Sequence, residues 1–332
     1  MAQESAEELV ELGNARAASG DHAAAAGCYE RALVLDPGYA AAHNNYALSL
    51  TALGRLREAW AEGEWRLQVD PAQRDFMKSP PLPFWRGEAM EDELLVLWEQ
   101  SFGDMLQYLR FLPLARERSG AVGFLCPAPL RRLMASSFPA VELLAPEQPV
   151  TWSDYVAFVP LLSLPHAMGL DQERLPTAPY LKVPEQPKSA KLGIVWRSSA
   201  FDASRNCRLE DLRPLADAGL QLVSLQYEPT AEERATLRAW GAEERGSSFT
   251  DFYDTAMALQ ALRALVTVDT SVAHLAGALG TPTHLLLNEP AAVRWMTSVD
   301  DSPWYPSMRL HRKQRDESWA PAVRRALGRL GN

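Results

Sequence analysis

From residue 94 onward, short apolar runs alternate with longer stretches in which apolar residues recur every three or four positions. The apolar runs predict buried strands, and the longer spacing predicts amphipathic helices. Strands are predicted at residues 94–98, 121–126, 141–144, 155–160, 192–196, 220–225 and 283–287. Helices are predicted at residues 104–117, 129–138, 209–218, 231–240, 254–263 and 319–330, and residues 266–282 hold a further strand and helix. This alternation predicts an α/β protein with largely parallel sheets, each covered on both faces.

The first 71 residues carry an internal repeat. Its equivalent residues stand 34 positions apart and pair as Gly20 with Gly54, Ala25 with Ala59, Leu33 with Leu67, Asp36 with Asp70, and Pro37 with Pro71. That period, with a glycine between two helices and a proline after the second, resembles the tetratricopeptide repeat. We predict two helix-turn-helix units, at residues 6–37 and 40–71. Two units are few for a free-standing solenoid, so we expect them to pack on the next domain.

Two proline-rich stretches divide the rest of the chain. Prolines near residue 80 break any helix after the repeats, and Phe84-Trp85 is expected to anchor this connector on the next domain. A second stretch, residues 176–187, separates two strand–helix halves, which predicts two facing Rossmann-like domains with a cleft between them. The predicted domains are the repeats at 1–71, the connector and first Rossmann-like domain at 72–187, and the second Rossmann-like domain at 188–332.

Composition and charge narrow the function classes. The net charge of −9 argues against a broad nucleic-acid surface but leaves room for a local basic pocket. The cysteines, Cys28, Cys126 and Cys207, form no CxxC pair, which favours a reducing compartment without a disulfide framework. The acidic, helical N-terminus is not a signal peptide, and no apolar run is long enough to span a bilayer. These features predict a cytoplasmic protein.

The most informative segment is residues 266–282, VTVDTSVAHLAGALGTP. A buried strand leads into Asp269, Thr270 and Ser271, residue types that cap a helix, followed by a helix of small residues. The free N–H groups of such a helix start, at the carboxyl edge of a sheet, favour a phosphate or diphosphate. His274 lies one turn into this helix, where it either contacts the diphosphate or hydrogen-bonds a backbone carbonyl. The alternative for the whole segment is an ordinary strand–helix unit.

A loop rich in arginine follows the first strand of the second half. Its polar residues are Arg197, Ser198, Ser199, Arg205, Asn206 and Arg208. Several arginines and serines at a sheet's carboxyl edge suit a phosphate-bearing ligand. The alternative is a solvated loop whose arginine packs on Trp196. Gln226, Tyr227 and the loop from Asp251 to Asp254 follow strands in the same half, and we expect them to read the base of a nucleotide.

A matching strand–turn–helix stands in the first half, within EQSFGDMLQYLRFLP. Gly103 permits a tight turn, and Asp104 lies at the helix N-terminus, at the edge where ligands bind in open α/β sheets. The alternative for Asp104 is a plain helix cap. Glu99 and Gln100, at the strand end, are expected to be the next most exposed groups on this side.

Several of these segments resemble the tetratricopeptide-fused branch of the bacterial heptosyltransferase-like glycosyltransferases. The matching strings are GDMLQYLRFLP, VDTSVAHLAGALGTP, DSPWYPSMRL, PFWRG and SLPHAMG. The resemblance implies the GT-B architecture, with the acceptor mostly on the first Rossmann-like domain and the nucleotide-sugar donor on the second. It implies that Asp104 is the general base, that Thr270, Ser271 and His274 lie in the donor-diphosphate segment, and that Arg205 or Arg208 neutralises the leaving diphosphate.

These inferences together predict a sugar transfer. A single carboxylate suits inverting displacement, and the absence of an Asp-x-Asp pair predicts that the diphosphate is held without metal or other cofactor. The predicted donor-side residues are Trp196, Arg197, Ser198, Arg205, Arg208, Gln226, Tyr227, Asp251, Asp254, Asp269, Thr270, Ser271 and His274. The predicted acceptor-side residues are Glu99, Gln100 and Gly103.

The acceptor and the role of the repeats stay open at this point. The repeats favour a protein or peptide acceptor over a glycan, but they also fit a packing platform or a dimer contact. One alternative is a non-catalytic adaptor with a degenerate glycosyltransferase fold, and another is a sugar-nucleotide epimerase. The chain has no Gly-x-x-x-x-Gly-Lys loop, no Gly-x-Gly-x-x-Gly after the first strand of either half, and no metal-ligand spacing among its histidines.

Overall fold

The computed structural model describes residues 4–69, 71, 74–75, 78, 80–198, 203–297 and 299–330. Asp70 and Ser199, which the sequence analysis singles out, lie outside the described residues. The repeat helices of the described part are α1 (Ala6–Ala18), α2 (His22–Leu35), α3 (Ala40–Ala52), α4 (Leu56–Gly63) and α5 (Arg66–Val69).

The repeated glycines serve the turn inside each helical unit. Gly20 and Gly54 adopt φ values of +89° and +76°, a left-handed conformation that glycine reaches without a Cβ clash. Gly13 serves packing instead, because a Cβ there would lie 2.5 Å from the ring of Tyr29 on α2. The 34-residue spacing therefore repeats a backbone requirement as well as a hydrophobic pattern.

The repeats pack on the following domain, as the small number of units predicts. Leu56 and Trp60 belong to the same buried core as Trp85 and Phe111. The rings of Trp60 and Phe111 meet edge to face at 5.9 Å. Trp85 is fully buried, and its backbone N–H donates to the Phe158 carbonyl, so the connector is anchored as expected. The apolar face that a longer solenoid would cover with another repeat is covered here by the α/β part.

The first α/β half is a parallel sheet in the order β3-β2-β1-β4. Its strands are β1 (Glu93–Leu97), β2 (Ala121–Leu125), β3 (Val141–Leu144) and β4 (Ala157–Pro160). Its helices are α6 (Phe102–Tyr108), α7 (Leu112–Arg116), α8 (Arg131–Ser137) and α9 (Leu164–Ala167). The single helix predicted at residues 104–117 is in fact α6, a 3-10 turn and α7. Pro113 stands in the first turn of α7, where its missing N–H is tolerated, whereas it would interrupt a continuous helix.

The second half is a parallel sheet in the order β10-β9-β8-β5-β6-β7. Counted from β5, this is the Rossmann order 3-2-1-4-5-6 read backwards. Its strands are β5 (Leu192–Val195), β6 (Leu222–Ser224), β7 (Glu243–Glu244), β8 (Ala264–Val268), β9 (Thr283–Leu287) and β10 (Met308–Arg312). Its helices are α10 (Arg213–Asp217), α11 (Ala231–Ala239), α12 (Phe252–Ala261), α13 (Ser271–Ala278) and α14 (Ala320–Arg329).

The sequence pattern does not predict the two edge strands of this sheet, β7 and β10. The strand β7 has only two residues, both glutamates. The strand β10 reads MRLHR and has the charged and titratable residues of a sheet edge instead of an apolar run. The predicted helix at 209–218 is also split, into a 3-10 turn at Leu209–Leu212 and α10.

The proline-rich linker between the halves, residues 176–187, is hydrogen-bonded to α13. The N–H groups of Tyr180 and Leu181 both donate to the Ala278 carbonyl, at 3.0 and 3.1 Å. Arg132 of α8 forms ion pairs across the cleft with Asp251 and Asp254, at 3.2 and 3.0 Å. Within the part of the chain that the structure describes, no helix is long and apolar enough to cross a membrane.

Candidate active site

A cavity of about 530 Å³ lies between the halves, at the carboxyl ends of the second sheet's strands. Phe102 and Pro129 contribute to its wall from the first half. Its wall includes the predicted donor-side residues Arg197, Ser198, Gln226, Tyr227, Asp251, Thr270 and Ser271. The cavity therefore brings together residues from four separate parts of the second half, at the position where open α/β sheets bind ligands.

The start of α13 forms one wall of this cavity. Thr270 is its N-cap, and the Thr270 hydroxyl accepts from the N–H groups of Val272 and Ala273, at 3.2 and 3.4 Å. The small residues of the helix serve close packing. A Cβ at Gly277 would lie 2.4 Å from the ring of Tyr305, so glycine there makes room for that tyrosine.

The first-half turn meets α13 directly. Ser101 caps α6, and Asp104 completes the capping box, its Oδ2 accepting from the Ser101 hydroxyl at 2.7 Å. Asp104 therefore does take part in a cap, but its Oδ1 accepts from Arg294 Nη1 at 2.6 Å. A Cβ at Gly103 would lie 3.2 Å from His274 Cδ2. Gly103 lies in the first turn of α6 and not in a turn before it, and its lack of a side chain lets the candidate base approach the second half.

His274 lies behind the ion pair of Asp104 and Arg294. Its Nδ1 is 2.9 Å from the Tyr305 hydroxyl, and its Nε2 is 3.5 Å from Arg294 Nη1. Burial, together with Arg294, Arg110 and Arg205, holds the pKa of His274 well below its usual value, so the ring is neutral. The partners then assign the tautomer, because Nε2 must turn its lone pair to the guanidinium and Nδ1–H donates to Tyr305. The His274 ring contacts Tyr305 and not a backbone carbonyl, and His274, 1% exposed, is not among the described residues that line the 530 Å³ cavity, so its contact with a diphosphate stays a prediction.

Asp269 holds Arg205 instead of facing the cavity. Asp269 is 4% exposed, and its carboxylate pairs with Arg205 Nη1 at 3.2 Å. Asp269 Oδ1 also lies 3.9 Å from His274 Nε2. The Arg205 side chain keeps about a quarter of its surface exposed, so it can turn part of its guanidinium to a ligand.

Glu99 is not the exposed acceptor-side group that the sequence predicts. It is 4% exposed, pairs with Arg66 of α5 at 2.7 Å, and accepts from the Leu162 N–H at 3.0 Å. The prediction is wrong because the repeats supply a buried cation that the α/β pattern alone does not show. Gln100 is exposed, as predicted, in a left-handed conformation with φ of +61°.

Trp196 lies behind the cavity wall, and Gln226 forms part of that wall. Trp196 is fully buried, and its indole N–H donates to Glu233 Oε1 at 2.7 Å, so its ring packs in the core and not on a donor. Gln226 Oε1 accepts from the N–H groups of Arg197 and Trp196, at 2.9 and 3.3 Å, and so fixes the end of β5. The Arg197 side chain pairs with Glu233 at 2.9 Å instead of packing on Trp196.

The remaining donor-side predictions divide by exposure and partner. Arg208 and Asp254 are not among the described residues that line the cavity. The Arg208 side chain is 80% exposed beside Asp211, since it stands before a surface 3-10 turn. Asp254 accepts from Thr250 and pairs with Arg132, and Asp251 caps α12. Both carboxylates therefore hold the cleft together. Tyr227, 63% exposed, is the more available group for contact with the base of a nucleotide.

A second cavity of about 170 Å³ joins the repeats to the candidate base. It is lined from the repeats by Asn44, Thr51 and Trp60, among others, and from the α/β part by Gln100, Asp104 and Arg294. The base therefore faces a space whose opposite wall is the helices α3 and α4. Sequence reasoning identified Asp104 but not this neighbour, because the packing of the repeats on the first half is a tertiary contact.

Arg294 and Arg110 are the functional candidates that sequence reasoning missed. Arg110 is 1% exposed and donates to the carbonyls of Pro176 and Trp304, so it ties the linker to the second half. Arg294 stands in a short 3-10 turn, Val293–Trp295, after β9. The only signal in the sequence is an arginine beside a tryptophan after the last predicted strand, which has no specific meaning by itself.

The chain matches a family model and a longer curated relative. Residues 6–39 match the family model described as tetratricopeptide repeat. The chain is 26% identical over 328 residues to Protein FlbA of Caulobacter vibrioides, an alignment that covers 86% of this chain and 54% of FlbA. The chain thus spans about half the length of that relative.

Two solved structures share the α/β architecture. One is the iron-containing dodecameric glycosyltransferase TibC of enterotoxigenic E. coli, with a TM-score of 0.52 and 16% identity, over 74% of this chain and 77% of TibC. The other is a glycosyl transferase of family 9 from Veillonella parvula, with a TM-score of 0.50 and 10% identity, over 68% of this chain and 87% of that one. The chain therefore carries a tetratricopeptide repeat followed by the GT-B fold of glycosyltransferases.

Proposed function

We propose that this protein transfers a sugar from a nucleoside-diphosphate sugar to an acceptor that Asp104 deprotonates. The observation that carries the proposal is the meeting of two strand–turn–helix motifs from opposite halves. A Cβ at Gly103 would lie 3.2 Å from His274, Asp104 pairs with Arg294 of the second half at 2.6 Å, and the start of α13 lines the 530 Å³ cavity. Such a cleft supplies what glycosyl transfer needs: a base on one side and stabilisation of a leaving diphosphate on the other.

The donor end of the reaction is assigned to cationic groups and helix dipoles without metal. The positive end of the α13 dipole lies at the cavity wall, where Thr270 and Ser271 line the space, and Arg205 pairs with Asp269 just before the Thr270 cap. One carboxylate facing the acceptor supports a single inverting displacement, in which the acceptor oxygen or nitrogen attacks the sugar opposite the leaving diphosphate.

The acceptor side favours a protein or peptide. Asp104 lines the smaller cavity, whose far wall is built from α3 and α4. An acceptor group that reaches Asp104 through this cavity passes the repeat helices, and tetratricopeptide units present a surface suited to extended peptide. A glycan acceptor is the alternative that the same space admits.

The decisive experiment combines binding and turnover. Calorimetry with a panel of nucleoside diphosphates, with and without Mg²⁺, is expected to find one that binds without metal. With the matching nucleotide sugar, Asp104→Asn is expected to lower turnover by about 100-fold or more, the typical contribution of a general base, without weakening nucleoside-diphosphate binding. Asp217→Asn, at an exposed aspartate of α10 outside the cavity wall, is the matched control. A loss of less than about threefold contradicts the assignment of the base.

The same experiment separates the alternatives. A chain that binds no nucleoside diphosphate is the adaptor with a degenerate fold, and its role would lie in the repeats. Release of an altered sugar nucleotide without any acceptor would identify an epimerase. The expected cytoplasmic location stays a prediction from composition.

A further inference from the structure

Arg294 reaches from the second half to the candidate base and occupies one of its oxygens. Its Nη1 donates to Asp104 Oδ1 at 2.6 Å, while Asp104 Oδ2 is held by Ser101 at 2.7 Å. Each oxygen keeps a further lone pair, so an acceptor group can still hydrogen-bond Asp104, but the guanidinium lies against the oxygen that would take the proton. The guanidinium also opposes protonation, because a protonated Asp104 would leave a buried charge without its partner.

The backbone that carries Arg294 is fixed from several sides. The Trp304 indole donates to the Arg294 carbonyl at 2.6 Å, and Arg312 Nη2 donates to the Trp295 carbonyl at 2.8 Å. From the repeats, the Ala52 carbonyl accepts from the Thr297 N–H at 2.9 Å. These contacts restrain the main chain, so a change of partner by Arg294 is a side-chain rotation and needs no movement of the loop.

A charged Arg294 needs an anion in every state of the site. Burial disfavours its charge, but the carboxylates of Asp104 and Asp269 raise its pKa above the usual arginine value, so it stays protonated. Its Nη1 is 3.5 Å from His274 Nε2, and His274 stands one turn from the start of α13. Asp269 Oδ1, one residue before the Thr270 cap, lies 3.9 Å from the same Nε2, so the guanidinium lies close to the segment that starts α13 and to a diphosphate bound there.

We propose that Arg294 exchanges partners on donor binding, leaving Asp104 for the diphosphate, so that the donor itself releases the base. This exchange rests on the proposed function and makes Arg294 a donor-binding residue that also positions Asp104. The neutral His274 gives the guanidinium a lone pair beside its path, and a second cation at that point would repel it.

The reaction then balances across the site. The acceptor hydroxyl or amide gives its proton to Asp104 Oδ1, and its freed electron pair forms the new bond to the sugar's anomeric carbon. The bond from that carbon to the diphosphate oxygen breaks, and its electron pair leaves with the diphosphate. The added negative charge falls on the group that Arg294 now holds, together with the α13 N-terminus.

The test is a double-mutant cycle on nucleoside-diphosphate affinity, measured by calorimetry and needing no acceptor. Arg294→Gln is expected to weaken binding about tenfold, the effect of losing one charge-assisted hydrogen bond. Asp104→Asn is expected to tighten binding about threefold to tenfold, because Arg294 no longer has to leave a carboxylate. In the Arg294→Gln background that gain should vanish, whereas a general effect of removing one negative charge would persist.

Each outcome decides between the exchange and its absence. If Arg294→Gln binds the nucleoside diphosphate as tightly as the parent does, the exchange is overturned while the proposed function stands. A gain from Asp104→Asn that survives in the double variant also overturns it. If the parent binds no nucleoside diphosphate, the proposed function fails first. Far-ultraviolet circular dichroism of each variant shows whether it is folded. Arg294→Lys is expected to bind with an affinity between those of the parent and Arg294→Gln, which a misfolded protein would not do.

Discussion

Asp104 has two partners that belong to two different levels of structure. The Ser101 contact is local and completes the capping box of α6, which a sequence pattern can predict. The Arg294 contact spans 190 positions and brings the second half onto the first. The local partner fixes where the carboxylate points, and the distant one decides when it is free to act.

A pair of buried histidines on the second sheet makes the free energy of unfolding depend on pH. His284 and His311 face each other on β9 and β10, with Nδ1 and Nε2 2.9 Å apart. Burial, with Arg309 near His284 and His284 near His311, lowers both pKa values to about 4. The unfolded chain, with pKa values near 6.5, binds more protons between these limits. Stability is therefore present above pH 6.5 and falls as the pH drops towards 4.

The expected loss for this pair between pH 7.5 and pH 5 is roughly a few kcal/mol. Urea unfolding at both pH values, on the parent and on the variant with His284→Gln and His311→Gln, measures it. The variant should lose clearly less stability on acidification, although His22 and His274 keep part of the slope because burial lowers their pKa values too. Equal losses in both proteins would show that the pair is not the source.

At the scale of elements, helix α5 joins the repeats to β1 through a buried ion pair. Arg66 Nη2 lies 2.7 Å from Glu99 Oε1, with side-chain exposures of 11% and 3%, and also donates to the Ser163 hydroxyl. Desolvation opposes the charge of Arg66, but Glu99 and Glu64 raise its pKa above the usual arginine value. Each ion therefore has a partner from another element, and Arg66 has a second carboxylate partner in Glu64, at 3.0 Å.

Glu99→Gln is expected to lower the free energy of unfolding by about 1.5–3 kcal/mol, the typical value of a hydrogen bond to a charged group, because Arg66 keeps Glu64 as a partner. In an Arg66→Met background the same substitution should cost clearly less, because the cation that Glu99 contacts is gone. The matched control is Glu58→Gln, whose ion pair with Arg55 has side chains about half exposed, where pairs contribute little. Chemical denaturation gives all the values, and an equal cost of Glu99→Gln in the parent and in Arg66→Met would contradict the coupling.

The sequence pattern predicted well wherever local chemistry decides the structure. The turn glycines Gly20 and Gly54 and the cap Thr270 follow from residue type and position. The turn predicted at Gly103 is wrong, because Gly103 lies inside α6 and packs near His274. The pattern also failed where a distant partner decides, as with buried Glu99, whose cation comes from the repeats. The edge strand β10 was missed for a related reason, since its MRLHR pattern becomes a strand only by pairing with β9.

At the scale of the whole molecule, the three parts meet around one ion pair. The repeats hold the loop after β9 through Ala52, that loop carries Arg294, and Arg294 contacts Asp104 of the first half. Across the cleft, Arg132 pairs with Asp251 and Asp254, and the rings of Phe102 and Phe252 lie 5.1 Å apart. The 530 Å³ cavity, the candidate base and the repeat wall are therefore parts of one continuous arrangement, and each can be changed by a separate substitution.

Blocking the repeat wall should separate acceptor use from donor binding. Asn44 of α3 is half-buried and lines the 170 Å³ cavity with Asp104, so Asn44→Trp adds bulk where the acceptor is expected to enter. Transfer of labelled sugar from the donor found by calorimetry into lysate protein should fall by about tenfold or more, while nucleoside-diphosphate affinity and slow donor hydrolysis by water stay as in the parent. The matched control is Ala61→Trp, which adds the same ring at an exposed position of α4 outside the cavity wall. Undiminished transfer by Asn44→Trp would show that the acceptor reaches Asp104 by another route, and equal losses in both variants would point to damage of the repeats instead of a blocked entrance.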